Sequence, residues 1–325
     1  MSASKSKVIA VIMAGGEGKR LYPLTERCPK PLLPVAGTPI IERIISSLLN
    51  EGIDDITVTS GFMASRLEEY IKGSEALSNY KGAKISFSRE NRPLGSAGAV
   101  KRAIKHRDFD KALIVSGDGL YIPEKMTFSA FTKGCEAIGG DAFILSKEEL
   151  FSERFGIICE KNGVVTSFAE KPTDYVDRGK KVLINTGIYL LSKRAVMLID
   201  DGFCDFGRDF FPRLLMSHER LGTLIADGYF CDIGTTSDYY RCNMYLSKGE
   251  SCINGRVERG ATVCESVILN GATIKRGAVL DRCIIGENVT VKEGVKISPS
   301  CVVGEGSVIS SDLSEGLTVT PRSCV

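Results

Sequence analysis

The sequence predicts an α/β fold with a mostly parallel sheet, followed by a β-helix. Up to about residue 245, short β-branched runs alternate with helical patterns, as in strand–helix–strand units of parallel sheets. From about residue 251, aliphatic residues return at every sixth position, a period typical of a triangular β-solenoid. The change of period predicts two domains, residues 1–245 and 251–325.

Each element is predicted by its own local pattern. A helix is predicted where Ile40, Ile41, Ile44, Ile45, Leu48 and Leu49 share one face. Residues 205–209 are predicted to enter a helix that places Phe210 and Phe211 in the core. The predicted strands are Val8–Met13, Ile56–Thr59, Ile85–Ser88, Ala112–Ser116, Ala142–Leu145, Gly156–Cys159, Val164–Glu170, Leu183–Leu191 and Leu224–Phe230. The predicted inward residues of the solenoid are Val279, Ile285, Val291, Ile297, Val303 and Ile309.

Composition excludes several classes of function. The 42 Lys and Arg residues nearly balance the 40 Asp and Glu residues, which predicts no nucleic-acid or membrane partner. The polar start of the chain and the strand-sized apolar run behind it predict neither a signal peptide nor a membrane span. The 11 scattered cysteines form no C-x-x-C pair, so we expect reduced thiols in a cytoplasmic protein. With only two histidines, a zinc site and histidine catalysis are disfavoured.

The glycine-rich segment after the first strand indicates a polyphosphate site. Gly15, Gly16 and Gly18 can present bare N–H groups just past the carboxyl end of a strand, and Arg20 and Lys30 supply cations. No G-x-x-x-x-G-K-[ST] loop can be laid on this segment, and a dinucleotide loop would need glycine at position 21, which is leucine. Both of those common phosphate-binding loops are therefore disfavoured.

Six motifs in this order resemble those of the sugar-nucleotidyltransferase family, which joins a nucleoside triphosphate to a sugar 1-phosphate. They lie at residues 14–34, 92–98, 117–118, 168–172, 185–189 and 232–235. The resemblance implies a Rossmann-like catalytic domain and a left-handed β-helix of hexapeptide repeats. It favours mannose-1-phosphate guanylyltransferase activity, with GTP as nucleotide. Glucose-1-phosphate uridylyl- or thymidylyltransferase activity, with UTP or dTTP, is the alternative.

The resemblance also implies a role for each motif residue. The expected catalytic residues are Arg20, Lys30, Asp118, Lys171 and Asp232, with Asp118 and Asp232 binding Mg²⁺. The expected nucleotide-binding residues are Ala14, Gly15, Gly16, Gly18, Arg20, Lys30, Pro93, Gly95 and Asp118. The expected sugar-phosphate-binding residues are Glu170, Lys171, Asn185 and Gly187. Lys19 stands where the family usually has threonine, and either a phosphate contact or a solvent-exposed position would account for it.

Two alternative functions are disfavoured by the sequence. A non-catalytic regulatory subunit that senses nucleotide sugars would keep the fold but commonly lose an essential cation or carboxylate, and all of these are present. Acyl transfer by the β-helix would need a histidine, and the last one in the chain is His218. We therefore expect the β-helix to serve homo-oligomerisation or regulation.

Overall fold

A computed structural model describes residues 6–150, 153–173 and 179–325, which fall into two units. The first unit comprises Met1–Gly16 and Ile44–Phe230, and the second comprises Glu17–Arg43 and Cys231–Val325. Each unit is thus built from two separate stretches of chain. The division into domains 1–245 and 251–325 stays a prediction from the sequence pattern.

The elements up to residue 246 alternate between strands and helices. The strands are β1 (Val8–Ala14), β2 (Pro34–Val35), β3 (Thr38–Pro39), β4 (Asp55–Ser60), β5 (Lys84–Arg89), β6 (Lys111–Ser116), β7 (Gly119–Ile122), β8 (Ala142–Leu150), β9 (Ile157–Lys161), β10 (Val164–Ala169), β11 (Lys181–Ser192), β12 (Leu221–Ile225) and β13 (Tyr229–Asp232). The helices are α1 (Ile40–Asn50), α2 (Ala64–Gly73), α3 (Glu75–Ser78), α4 (Gly95–Ile104), α5 (Phe128–Ile138), α6 (Lys193–Met197), α7 (Phe211–Met216) and α8 (Thr236–Leu246).

The main sheet of the first unit has the order β5-β4-β1-β6-β11-β8-β12-β10-β9. Strands β5, β4, β1 and β6 run parallel, because helices connect them in the chain. Strand β11 runs antiparallel to β6 and to β8, and β10 runs antiparallel to β9. The sheet is therefore mixed beyond β6. From β8 to β11, the described residues form successive strands with no helix between them.

The first unit buries an aromatic cluster beside this sheet. The ring centroids of Tyr189 and Phe206 lie 4.7 Å apart, and those of Phe206 and Phe211 lie 5.5 Å apart. Phe210 and Phe211 are fully buried, which confirms the predicted aromatic pair. A π-helical turn over Phe206–Phe210 leads into α7, and the carboxylate of Asp205 caps it by accepting the N–H groups of Gly207 and Arg208.

One predicted strand is wrong. Residues 224–230 are not one strand but the end of β12, a turn and the start of β13. The break lies at residues 226–228, where Gly228 has a φ of +68°. The Asp227 carboxylate, within this break, accepts hydrogen bonds from the backbone N–H groups of Lys125 and Met126, in the segment between β7 and α5. The sequence shows an apolar run on both sides of this turn, so hydrophobicity alone did not reveal the break.

The C-terminal part of the second unit is a stack of three parallel sheets, as expected for a β-helix. Its strands are β14 (Cys252–Ile253), β15 (Arg256–Val257), β16 (Thr262–Cys264), β17 (Val267–Ile268), β18 (Thr273–Ile274), β19 (Val279–Asp281), β20 (Ile284–Ile285), β21 (Thr290–Val291), β22 (Lys296–Ile297), β23 (Val302–Val303), β24 (Val308–Ile309) and β25 (Thr318–Val319).

The register of these sheets follows the hexapeptide period. Ile268 pairs with Ile285, and Ile285 pairs with Val303, so a turn takes 17 or 18 residues over three sides. Five of the six predicted inward residues, from Ile285 onward, are buried. The sixth, Val279, is 40% exposed, and Leu280 points inward in its place. The turn from Leu280 to Ile297 spans 17 residues, one fewer than three hexapeptides, which shifts the inward position by one.

Candidate functional site

The loop after β1 brings two glycines of the first unit to the carboxyl end of the sheet. A Cβ atom on Gly15 would lie 2.9 Å from Oε1 of Glu90, so this glycine leaves room for that carboxylate. The other oxygen of Glu90 accepts the backbone N–H of Leu94 at 3.0 Å. Gly16 has open space beside it. No sequence motif indicates a role for Glu90, whose carboxylate links the loop after β1 to the segment before α4.

The turn after β6 holds Asp118 beside the same loop. Gly117 donates its N–H to the carbonyl of Met13 at 2.9 Å, and a Cβ atom on Gly117 would lie 3.1 Å from that of Ala14. The Asp118 carboxylate accepts a hydrogen bond from the Ser116 hydroxyl. Parallel strands β1 and β6 end together at this edge, which is where α/β sheets usually bind ligands. Ala14 and Asp118 therefore lie on neighbouring strand ends, as their motifs predicted.

A β-bulge in β11 places Asn185 and Gly187 near this turn. The register of β11 against β8 shifts between Asn185 and Ile188, and such bulges re-aim side chains next to active sites. Gly187 has a φ of +77°, and a Cβ atom there would lie 2.9 Å from the Cβ of Ser116. Any larger residue would thus push against Ser116, the partner of Asp118.

The side chain of Asn185 is fixed from two sides. Its Oδ1 accepts the N–H of Gly187 at 3.0 Å, and its Nδ2 donates to the hydroxyl of Tyr189 at 3.1 Å. Burial raises the pKa of Tyr189, which keeps its hydroxyl neutral as a partner for the amide. The backbone N–H of Asn185 donates to the carbonyl of Gly156 at 2.8 Å.

The carboxylate of Glu170 lies against two glycines. A Cβ atom would approach Oε2 of Glu170 to 2.7 Å from Gly156 and to 2.3 Å from Gly207. The Glu170 side chain is only 21% exposed, and its Oε1 lies 3.4 Å from Nζ of Lys171. Lys171 is itself 62% exposed and has a φ of +47°. Glu170 and Asn185 therefore both pack against Gly156. Gly207 is a second glycine that packs against the Glu170 carboxylate, and the sequence motifs did not identify it.

Gly95 begins α4 under a tight steric restriction. It has a φ of +71°, and a Cβ atom there would lie 2.5 Å from the carbonyl oxygen of Cys204. The next residue, Ser96, donates its hydroxyl to the Asp205 carboxylate at 2.8 Å and accepts the N–H of Phe206 at 2.9 Å. Gly95 therefore has a packing role, and its contact with a nucleotide, like that of the exposed Pro93, stays a prediction.

The second unit buries Lys30 beside Asp232. Lys30 is 6% exposed, and its Nζ lies 3.9 Å from Oδ1 of Asp232. Gly18, with a φ of +66°, approaches Lys30 so closely that a Cβ atom would lie 3.0 Å from the Cβ of the lysine. The Thr25 hydroxyl donates to the carbonyl of Gly18 at 2.9 Å. A buried ammonium group needs a nearby anion, and a carboxylate is in place.

Helix α8 holds the loop that carries Lys30. The hydroxyl of Tyr239 donates to the carbonyl of Pro34, and Oδ1 of Asn243 accepts the N–H of Ala36 at 2.9 Å. Tyr239 is fully buried and Asn243 is 1% exposed. The packing of Tyr239 in this helix is predictable from the sequence, whereas the contact made by Asn243 is not, because a buried Asn on a helix carries no distinctive motif.

Arg20 and Lys19 differ although they are neighbours in one short 3₁₀ turn. The ammonium of Lys19 is 84% exposed and lies 2.7 Å from Oε2 of Glu17, whose hydrogen bond raises the pKa of the lysine. The guanidinium of Arg20 is exposed and makes no hydrogen bond or ion pair with any residue of the described ranges. Lys19 is thus neutralised within the chain, whereas Arg20 presents an uncompensated cation.

The described ranges hold no group of three or more His, Cys, Asp or Glu side chains arranged to bind a metal ion. Mg²⁺ is commonly bound by one or two protein carboxylates together with substrate phosphates and water. The carboxylates of Asp118 and Asp232 are hard oxygen donors of that kind. In the same described ranges, none of the helices has the length and hydrophobicity that a bilayer crossing needs.

Comparison with known proteins finds relatives named as sugar-1-phosphate nucleotidyltransferases. The curated mannose-1-phosphate guanylyltransferase 1 of Arabidopsis thaliana is 28% identical over 96% of this chain and 96% of its own length. The UTP–glucose-1-phosphate uridylyltransferase of Synechocystis is 28% identical over 94% of this chain and 82% of its own length. The crystal structure of HddC from Yersinia pseudotuberculosis complexed with GMP-PN has a TM-score of 0.62 and 26% identity, covering 74% of this chain and 99% of that one.

Two family descriptions match the chain. The one described as nucleotidyl transferase matches residues 9–249, and the one described as GMPPB C-terminal domain matches residues 249–323. The first match spans well over half of the sequence and contains every motif residue considered above. A nucleotidyl transfer to a sugar 1-phosphate is a reaction that fits this family. The chain belongs to the nucleotidyl transferase family.

Proposed function

We propose that the protein transfers a guanylyl group from GTP to mannose 1-phosphate and releases pyrophosphate. The observation that carries this proposal is a set of three charged groups in the second unit, namely the buried Lys30 beside Asp232 and the uncompensated Arg20. The relatives named as mannose-1-phosphate guanylyltransferases support the choice of base and sugar. We place the activity in residues 1–245 and expect it in the cytoplasm, a compartment that the 11 scattered cysteines, with no C-x-x-C pair among them, support.

In this reaction the sugar phosphate needs no general base. Its second pKa is about 6, so its oxygen is already anionic at neutral pH. That oxygen attacks the α-phosphorus, and the bond from this phosphorus to the bridging oxygen of pyrophosphate breaks. Catalysis therefore depends on positioning and on neutralising charge. We assign Arg20 to the leaving pyrophosphate and Lys30 to the α-phosphate.

The remaining motif residues bind and orient the two substrates. We assign Ala14, Gly15, Gly16, Gly18, Pro93 and Gly95 to the nucleotide, and Glu170, Lys171, Asn185 and Gly187 to the sugar phosphate. Asp118 and Asp232 would bind Mg²⁺, which when bound would neutralise phosphate charge. Asp118 is kept in place for this by the Ser116 hydroxyl. Lys171, with its exposed ammonium beside Glu170, is suited to the phosphate of the sugar.

A matrix of nucleoside triphosphates against sugar 1-phosphates, read as pyrophosphate release, tests the proposal. We expect GTP with mannose 1-phosphate to give the highest kcat/KM, about tenfold or more above any other pair. If kcat/KM is highest with UTP or dTTP and glucose 1-phosphate, the reaction type stands but the assigned base and sugar are wrong. The Synechocystis relative, a UTP–glucose-1-phosphate uridylyltransferase, supports this alternative pair of substrates. Nucleotide-sugar binding without pyrophosphate release from any pair would favour the regulatory subunit instead.

Gly207→Ala is expected to weaken binding of the sugar 1-phosphate without weakening binding of the nucleotide. The new methyl group would lie 2.3 Å from Oε2 of Glu170 and must displace that carboxylate. We expect the KM for the sugar 1-phosphate to rise about tenfold while the KM for the nucleotide stays within twofold. Steady-state kinetics with each substrate varied measures both. Gly73→Ala, at a glycine with open space around it, is the matched control; equal effects on both KM values would contradict the assignment of Glu170.

We also propose that the β-helix mediates homo-oligomerisation. The terminal strands of stacked sheets expose backbone N–H and C=O groups that favour pairing with a further surface. Light scattering at micromolar concentration measures the molar mass directly. A monodisperse species of 35.2 kDa, the mass of one chain, would contradict this part of the proposal.

A further inference from the structure

A cavity in the first unit lies outside all the residues assigned above. Its volume is about 240 Å³, and it is formed by one face of α4 and by the loop after α6. Leu94, Gly98 and Gly202 contribute its apolar and backbone surface. The charged residues that line it are Arg92, Lys101, Arg102, Lys105, Asp200 and Asp201.

The two carboxylates of this cavity already have cations of their own. Asp200 forms an ion pair with Arg213, and Oδ1 of Asp201 lies 3.1 Å from Nζ of Lys101. Lys101 is 13% exposed and also donates to the carbonyl of Ile199 at 2.5 Å. The hydrogen bond from Lys101 lowers the pKa of Asp201, so this pair stays charged and mutually neutralised.

Three cations remain without such compensation. The side chains of Arg92, Arg102 and Lys105 form no hydrogen bond or ion pair with any residue in the described part of the chain. Basic residues at the C-terminal end of a helix interact favourably with its dipole, which accounts for Arg102 in the last turn and for Lys105 at the C-cap. This effect does not account for Arg92, which precedes α4 and yet lines the same cavity.

We propose that this cavity binds a small phosphate monoester, such as a sugar phosphate, at a site separate from the substrates. Arg92 and Arg102 can each donate two parallel hydrogen bonds to a phosphate group. Lys105 adds a third positive charge to the same concavity, although its charge also acts on Asp201. The volume is below the roughly 300–1,000 Å³ of pockets for drug-sized ligands. The ligand is therefore of sugar-phosphate size and not a whole nucleotide.

Isothermal titration calorimetry of the full chain with glucose 6-phosphate tests the site without any measurement of activity. We expect binding to the wild-type protein, no binding of glucose, and a loss of affinity of about tenfold or more in Arg102→Glu. Lys133→Glu, the same charge change at an exposed position of helix α5, is the matched control and should stay within about twofold. Arg20→Ala, altered in the catalytic loop, should bind as the wild type does.

Several results would overturn the site. These are an absence of binding to the wild type, an equal loss in Lys133→Glu, or a loss in Arg20→Ala with normal binding in Arg102→Glu. The last result would mean that the phosphate occupies the catalytic loop. Inorganic phosphate is titrated in parallel. Tighter binding of glucose 6-phosphate would identify an ester site, and equal binding would identify a site for the phosphate group alone; either result supports the phosphate chemistry.

Occupation of the cavity is expected to influence nucleotide binding, an expectation that rests on the proposed function. Arg92, Leu94 and Gly98 line the cavity and alternate along the chain with Pro93 and Gly95, the two residues of this motif that we assign to the nucleotide. We expect saturating glucose 6-phosphate to change the Kd for GTP about fivefold in the wild type and not in Arg102→Glu. An unchanged Kd would contradict the coupling, whereas an absence of GTP binding under both conditions would contradict the nucleotide assignment instead.

Discussion

Asp118→Asn is expected to lower kcat about a thousandfold, which corresponds to about 4 kcal/mol of activation free energy. The amide keeps the size of the side chain and an oxygen that can accept the Ser116 hydroxyl, so the turn after β6 should keep its shape. What is lost is the negative charge that we assign to Mg²⁺. Pyrophosphate release at saturating substrates measures the effect.

The control for this variant separates chemistry from folding. Asp108→Asn removes a carboxylate that is 88% exposed, precedes β6 in the chain and forms an ion pair with Lys7, and its kcat should match that of the wild type. Circular dichroism and thermal unfolding should be the same for Asp118→Asn and the wild type within about 2 °C. Full activity in Asp118→Asn would disprove the metal assignment, and a large fall in Tm would show that Asp118 is a structural residue.

Arg20→Ala is expected to slow pyrophosphate release about a thousandfold, because an arginine that stabilises a departing phosphate typically contributes 10³ or more to kcat. The side chain is exposed and has no intramolecular partner among the described residues, so its removal should leave the stability unchanged. Arg20→Lys should recover only part of the rate, since an ammonium group cannot make the bidentate contact of a guanidinium group.

The adjacent Lys19 provides a matched control. Lys19→Ala also removes one exposed cation from the same 3₁₀ turn, but that cation is already paired with Glu17. We expect activity within about twofold of the wild type. Equal losses in Lys19→Ala and Arg20→Ala would indicate a general effect of positive charge in the loop, and the specific assignment of Arg20 to pyrophosphate would then fail.

Local sequence patterns predicted much of this fold because they report local physics. The aliphatic face from Ile40 to Leu49 could be buried only in a helix, and α1 forms there. The six-residue period predicted the stacked parallel sheets, because each side of the solenoid buries its aliphatic residue at the same place in every turn. The same period predicted the wrong inward residue at Val279. One turn of the solenoid there is 17 residues long, one fewer than three hexapeptides, so Leu280 takes the inward position.

The glycines of the site show where sequence reasoning stopped. A glycine motif indicates that space is needed, but it does not say which atom occupies the space. At Gly95 that atom is the carbonyl oxygen of Cys204, about 110 residues away in the chain, and at Gly207 it is a carboxylate oxygen of Glu170. Contacts of this kind depend on how distant strands and turns pack, and no local pattern encodes them.

The sequence by itself determined the fold class, the family and the identity of the charged residues, because periodicity and ordered motifs are properties of the chain alone. Only the tertiary structure decided how those charges are compensated. It pairs Lys19 with Glu17 and buries Lys30 beside Asp232, while Arg20 has no partner in the described ranges. The electrostatic free energy of a charge depends on its distance to other charges and on its burial, and both are set only when the chain has folded.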